Sequence, residues 1–188
     1  ERFAPSPIGD FSPGSEYKVF GFFVESSAME KTAGWRTLKK ARCSVLICFE
    51  DIFPGLARRF VSNGAAFLVN MTNDAWFGRS SAAFQHAQAS VFRAVENRVA
   101  VVRAANTGLS CFIDNKGRII NCVSLDDKSI FVTGYASGKV ELSRGRTFYT
   151  AFGDIFAYLC ILGTLLIIPR GCGPGSCMRS PRICGGPR

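Results

Sequence analysis

The chain has 188 residues, of which 47% are hydrophobic, including 17 Phe; this is ample for one domain with a buried core and excludes disorder of the whole chain. A formal net charge of +9 admits a nucleic acid or an anionic membrane face as partner. No arginine-glycine repeat, aromatic–basic interleaving or zinc-finger spacing accompanies that charge, so a nucleic-acid partner is not expected.

Residues 1–16 are rich in proline and read as loop. Val19 to Val24 is apolar and reads as a strand or a buried loop edge. A basic cluster (Arg36, Lys39, Lys40, Arg42) leads into Cys43 to Cys48, a short, partly β-branched apolar run that predicts a buried strand. Glu50 and Asp51 then favour a helix N-terminus through the macrodipole. Ile52, Leu56, Phe60 and Val61 carry a helical period, which Asn63-Gly64 closes. Ala66 to Met71 predicts the next buried strand, and Thr72-Asn73-Asp74 a turn held by Asx hydrogen bonds.

Ser81 to Asn97 predicts a second helix with Phe84, Ala87, Val91 and Val95 on one face. Val99 to Ala104 is strand-like, and Leu109 to Ile113, the turn Asp114 to Gly117, and Arg118 to Val123 predict a hairpin. Ile130 to Tyr135 and Lys139 to Leu142 suggest another antiparallel pair. Alternating strands and helices followed by hairpins imply a mixed α/β domain. Arg93, Glu96 and Arg103 are candidates for structural ion pairs with partners the sequence does not name.

Residues 148–168 are apolar apart from Asp154 and reach the ~20 residues that span a bilayer as a helix. A buried core helix is the alternative. The absence of an amphipathic stripe, the tyrosines Tyr149 and Tyr158, and the arginines beyond the segment favour a transmembrane helix with a cytoplasmic C-terminus. Residues 169–188 form a basic Gly/Pro/Cys-rich tail, expected to be disordered. The first residue is Glu1, not Met, and the opening reads as mid-domain sequence, so the chain is expected to be a fragment.

Cys48, Cys111, Cys122 and Cys160 sit singly in apolar runs, which gives no disulfide framework. Cys172, Cys177 and Cys184 match no common zinc spacing, and the single histidine, His86, offers no ligand cluster, so neither metal nor cofactor is expected. A lone histidine in a helix is more often a surface or core hydrogen-bonder than a partner for a catalytic cysteine. Cys48 itself ends a buried strand immediately before a helix. There a thiol is presented at a turn, and amides at the helix start favour both a thiolate and a developing oxyanion. From spacing alone a structural cysteine at a strand end reads the same way.

Cys48-Phe49-Glu50 after an apolar strand resembles the Cys-Tyr/Phe-Glu element of the nitrilase superfamily. The segments Asn70 to Gly78, Gln85 to Arg98, Arg103 to Ser110 and Thr147 to Asp154 resemble, in the right order, those of the apolipoprotein N-acyltransferase family. The resemblance covers roughly residues 1–168. It implies an α/β fold, a nitrilase-like α/β/β/α sandwich lacking its N-terminal part (residues 1–147) and followed by one transmembrane helix (148–168).

It also implies an activity. A cysteine takes an acyl chain from a phospholipid as a thioester and passes it to the N-terminal amine of a diacylglyceryl-cysteine lipoprotein, on the periplasmic side of the bacterial inner membrane, in an enzyme expected to be monomeric. Cys48 matches the nucleophile, and Glu50 the supporting acid. Phe49 stands where tyrosine is common and its backbone N–H would serve the oxyanion. Asp10, in Pro7-Ile8-Gly9-Asp10-Phe11, matches a glutamate of a family loop. Trp76 and Phe77 are candidates to line the substrate pocket, or simply to fill the core.

In the family the general-base glutamate lies far upstream and the oxyanion lysine just before that loop. Arg2 falls near the lysine position, but its planar guanidinium presents different donors. The alternatives are a soluble nitrilase-type amidase using the same cysteine and an inactive fragment.

Overall fold

The computed structural model describes residues 14–25, 38–143 and 145–171. Asp10, Arg2 and the tail beyond Gly171 lie outside them. The described chain forms β1 (Phe20–Glu25), β2 (Leu38–Ile47), a 3-10 turn (Cys48–Ile52), α1 (Pro54–Ser62), β3 (Phe67–Asn73), a short 3-10 turn (Ala75–Phe77), α2 (Ala82–Asn97), β4 (Ala100–Asn106), β5 (Cys111–Ile113), β6 (Ile119–Cys122), α3 (Phe148–Phe152) and α4 (Ile155–Gly171).

Six strands make one mixed sheet in sequence order, β1 to β6. The central strands β2, β3 and β4 run parallel, with Ile47 opposite Met71 and Met71 opposite Ala104. The outer pairs are antiparallel. Each parallel crossover runs through a helix, α1 and then α2, as parallel pairing requires.

Alternation along the strands sorts the two faces. Ser44 and Leu46 of β2, Leu68, Asn70 and Thr72 of β3, and Val101 and Arg103 of β4 are buried. With Ala57, Phe60 and Val61 of α1 and Ala87 and Ala94 of α2 they enclose the core. Ile47 and Met71 alternate with these residues and are exposed, so the opposite face of the sheet is apolar and open. The second sheet of the expected sandwich is not among the described residues.

Local chemistry explains most element ends. Pro54 opens α1 at a position where a missing N–H costs nothing. Gly64, with φ of 97°, follows its cap, and a side chain there would strike the Arg42 guanidinium. Glu50 and Asp51 do not start α1 as the charge pattern predicts. They belong to the preceding turn, where Glu50 Oε2 accepts from the Ile47 amide at 2.7 Å and Asp51 is fully buried.

The helical face of α2 also differs from expectation. Its buried residues are Ala83, His86, Ala87, Ser90, Arg93, Ala94 and Asn97, whereas Phe84 and Val95 are exposed. Small and polar side chains face the sheet because they meet buried charge there, as described below. The suggested pair over 130–135 and 139–142 is irregular chain, with Phe131 at φ 55° and its amide donating to the Thr107 carbonyl.

Residues 148–168 do not form one continuous helix. Thr147 Oγ1 caps α3 by accepting from the Thr150 amide, and Gly153 at φ 66° ends it. Arg58 donates to the carbonyls of Tyr149, Thr150 and Ala151 at 3.1, 3.0 and 2.8 Å, and so satisfies the C-terminal groups of this short helix. Thr150 is buried and donates to Asn97 Oδ1. The chain divides into two compact units, residues 1–153 and 154–188. In the second, α4 exposes Phe156, Leu159, Ile161, Leu162, Leu165 and Leu166. Among the described residues no helix is long and apolar enough to cross a membrane.

Candidate active site

Cys48 follows the last residue of β2, at the C-terminal edge of the parallel strands, where open α/β sheets gather their ligands. Its φ of 52° lies in the left-handed region, which a non-glycine residue adopts at a cost of about 1–3 kcal/mol unless its surroundings hold it. Two side chains hold this one. Glu50 accepts from the Ile47 amide, closing the turn from its own side. Asn70 of β3, fully buried, donates from Nδ2 to the Cys48 carbonyl at 3.1 Å.

Behind the turn lies a buried ionic cluster. Asp51 accepts through Oδ2 from Ser90 Oγ (2.5 Å) and Arg103 Nη1 (2.8 Å). The same Nη1 donates to Asn70 Oδ1 at 2.8 Å, and Nη2 to Asp74 Oδ2 at 3.0 Å. His86 stands between the two carboxylates, Nε2 3.0 Å from Asp51 Oδ1 and Nδ1 2.8 Å from Asp74 Oδ1. Thr72 Oγ1 also donates to Asp74 Oδ1. Gly108 passes so close to Asp74 that any side chain there would collide with the carboxylate.

Arg103 therefore ties the Asn70 clamp to the ionic cluster. It holds Asn70, which holds the Cys48 carbonyl, and Asp51, three residues along the same turn. Burial pushes the imidazolium of His86 towards losing its proton. The hydrogen bond to Asp51 opposes this, Arg103 adds to it, and the bond to Asp74 together with the Asp51 charge leaves the pKa above the usual imidazole range. Among the described residues none hydrogen-bonds to the Cys48 thiol. No group of three or more His, Cys, Asp or Glu there could hold a metal ion.

The predicted site residues are placed as follows. Phe49 packs edge-on against Phe77 (centroids 5.9 Å apart) and lies 4.8 Å from the His86 ring, so Phe77 is brought beside the cysteine turn. Trp76 is 79% exposed. Asn73 makes an Asx bond, accepting from the Ala75 amide, but the Asp74 side chain points into the ionic cluster instead. Arg93 pairs with Glu96 at 2.7 Å.

Asn70, Asp51, Ser90 and Arg103 escape a reading for nucleophiles, yet they leave a trace. Asn70 and Arg103 interrupt apolar strands at core-facing positions, and His86 and Ser90 recur at i, i+4 on one helix.

The sequence pattern of carbon-nitrogen hydrolases matches residues 11–142. Apolipoprotein N-acyltransferase of Geobacter metallireducens is 44% identical over 160 residues, which are 85% of this chain and 27% of that protein. The protein of the same name from Thermotoga maritima is 40% identical over 119 residues, 63% of this chain and 23% of that one. The chain thus spans about a quarter of the length of these curated relatives. Among solved structures, Nit3 of Saccharomyces cerevisiae aligns with a TM-score of 0.40 and 20% identity over 60% of this chain and 38% of that one. With the family pattern running from before β1 to beyond β6, and a cysteine turn at the strand edge, the chain belongs to the carbon-nitrogen hydrolase family.

Proposed function

We propose that this chain carries the nucleophile of a lipoprotein N-acyltransferase. The observation that supports this most is Cys48 itself, held at positive φ at the edge of the parallel strands, in a chain 44% identical to an apolipoprotein N-acyltransferase. The Cys48 sulfur attacks the ester carbonyl of a phospholipid; a carbon–sulfur bond forms, the ester carbon–oxygen bond breaks, and a lysophospholipid leaves with the proton. The α-amine of a diacylglyceryl-cysteine lipoprotein then attacks the thioester, forming an amide and returning the thiol. A thioester conserves acyl reactivity, and an amine attacks it better than water does in a lipid-filled site.

Glu50 supports the turn, the Phe49 amide serves the oxyanion, and Phe77 and Trp76 line the acyl path. In this reading a general-base glutamate and an oxyanion lysine act together with Cys48, and the chain by itself is predicted to be inactive. The described helix α4 is the membrane anchor in this reading. It exposes Phe156, Leu159, Leu162 and Leu166, and its 17 residues fall short of the ~20 that span a bilayer. Arg179 and Arg182, later in the sequence, keep the C-terminus cytoplasmic in this reading and leave the catalytic unit periplasmic. The partners are a phospholipid donor, a lipoprotein acceptor and the bilayer, with the enzyme acting as a monomer.

The test joins this chain to the part of the Geobacter relative that it does not cover. The chimera is incubated with phospholipid bearing a labelled acyl chain and a diacylglyceryl-cysteine peptide. Label on the peptide amine, lost in Cys48→Ala, supports the reading. Turnover of small amides with no transfer replaces it with a soluble-type hydrolase.

A further inference from the structure

We propose that His86 is a positioning residue for Cys48, held as an imidazolium between Asp51 and Asp74 so that a charge-balanced buried cluster fixes the turn bearing the thiol. The inference rests on Cys48 being the nucleophile, but its first observable does not.

Both ring nitrogens of His86 face carboxylate oxygens, at 2.8 and 3.0 Å. An ionised carboxylate only accepts, so both nitrogens must donate. The proton has no better place on the acids. The second oxygen of Asp51 already faces Ser90 Oγ and Arg103, and that of Asp74 faces Arg103. Two cations, His86 and Arg103, then balance two anions, and none of the four side chains is more than 2% exposed.

Removing the imidazolium proton leaves one buried negative charge uncompensated and turns a nitrogen lone pair towards a carboxylate. The strain falls on Asp51 or Asp74. Asp51 is three residues from Cys48 in the same 3-10 turn, and Phe49 between them rests 4.8 Å from the His86 ring. The other charged groups around the turn are already engaged. Arg93 of α2 is paired with Glu96 and lies 3.4 Å from the Ile52 carbonyl, and Glu50 caps the Ile47 amide. The cluster thus couples one protonation state to the placement of the thiol.

His86 is the single histidine of the chain, so nitrogen-15 labelling of histidine in the 188-residue protein gives one unambiguous pair of ring signals. Both nitrogens are expected to be protonated at pH 7, with a midpoint above the ordinary value near 6.5. Alkylation of Cys48 by iodoacetamide, read by peptide mass against the exposed Cys160 as internal control, is expected to show an extra inflection at that midpoint. His86→Gln removes the inflection and leaves Cys160 unaffected. In the chimera the same change lowers kcat by about a hundredfold, the scale of an ångström of misplacement, with KM for phospholipid unchanged.

A ring with one unprotonated nitrogen at pH 7 overturns the proposal, as does a His86→Gln profile identical to the parent at Cys48. Failure of the acyltransferase reading would show separately, as absence of acyl transfer while the histidine signals and the alkylation inflection remain.

Discussion

At the scale of single residues, the cysteines differ by environment. Cys111 is 2% exposed, and burial, only partly offset by Arg103 and reinforced by Cys122, pushes its thiol up to about 11. Cys48 sits at an accessible turn. Limiting iodoacetamide at pH 7.5 is therefore expected to label Cys48 well before Cys111, as read by peptide mass; equal labelling would mean that Cys111 is not buried. His86 adds a linkage effect. Its folded pKa is raised, so the stability it contributes is complete below the unfolded value and is lost as pH rises through the folded one. Denaturation midpoints are expected to fall as pH climbs above about 6.5, and that slope should vanish in His86→Gln.

The strand end at Cys48 and the acids after it were legible as a local pattern, whereas the nucleophile reading came from the resemblance and not from spacing. The placement of His86 between Asp51 and Asp74 was not legible, because these partners come from two other parts of the chain, 35 and 12 residues away in sequence.

At the scale of elements, the central strands carry the fold. Leu46 and Leu68 are fully buried on the helical face of the sheet. Leu68→Ala is expected to cost about 2–5 kcal/mol in chemical denaturation, whereas Met71→Ala on the open face should cost far less. The β5–β6 hairpin depends on Asp114. Burial opposes its charge, but the amide and guanidinium of Arg118 and the amide of Lys116 hold its carboxyl below the usual range. Its stabilising effect is therefore present above the ordinary carboxylate pKa and lost as pH falls through the lowered one. Amide exchange at Lys116 and Arg118 should accelerate in that acid window, and in Asp114→Asn at neutral pH.

The alternating strand and helix order was readable from apolar runs and Asn63-Gly64. Two details were not. The buried face of α2 is polar, so hydrophobic periodicity pointed to Phe84 and Val95 instead. The break at Gly153 divides an apolar stretch that carries no other punctuation than Asp154.

At the scale of the whole molecule, two apolar surfaces stand out, the open face of the sheet and the side chains of α4. Such surfaces mark interaction sites or aggregation liabilities. If α4 is a membrane anchor, the chain should float with phospholipid vesicles in a density gradient, and deletion of residues 155–188 should return residues 1–154 to the soluble fraction. Vesicle binding unaffected by the deletion would place the membrane contact elsewhere. Strand–helix alternation made a mixed α/β domain legible, and the finer fold class came from the resemblance of the motifs. The second layer of the sandwich that the resemblance implies is not among the described residues, where one six-stranded sheet stands.

The central claim is that Cys48 carries the acyl group. The direct measurement incubates the chimera with labelled phospholipid, without acceptor, and quenches at low pH before peptide mapping. An acyl adduct on the peptide containing Cys48, released by neutral hydroxylamine and absent in Cys48→Ala, is the predicted result. An adduct on another residue, or acyl transfer persisting in Cys48→Ala, would contradict it.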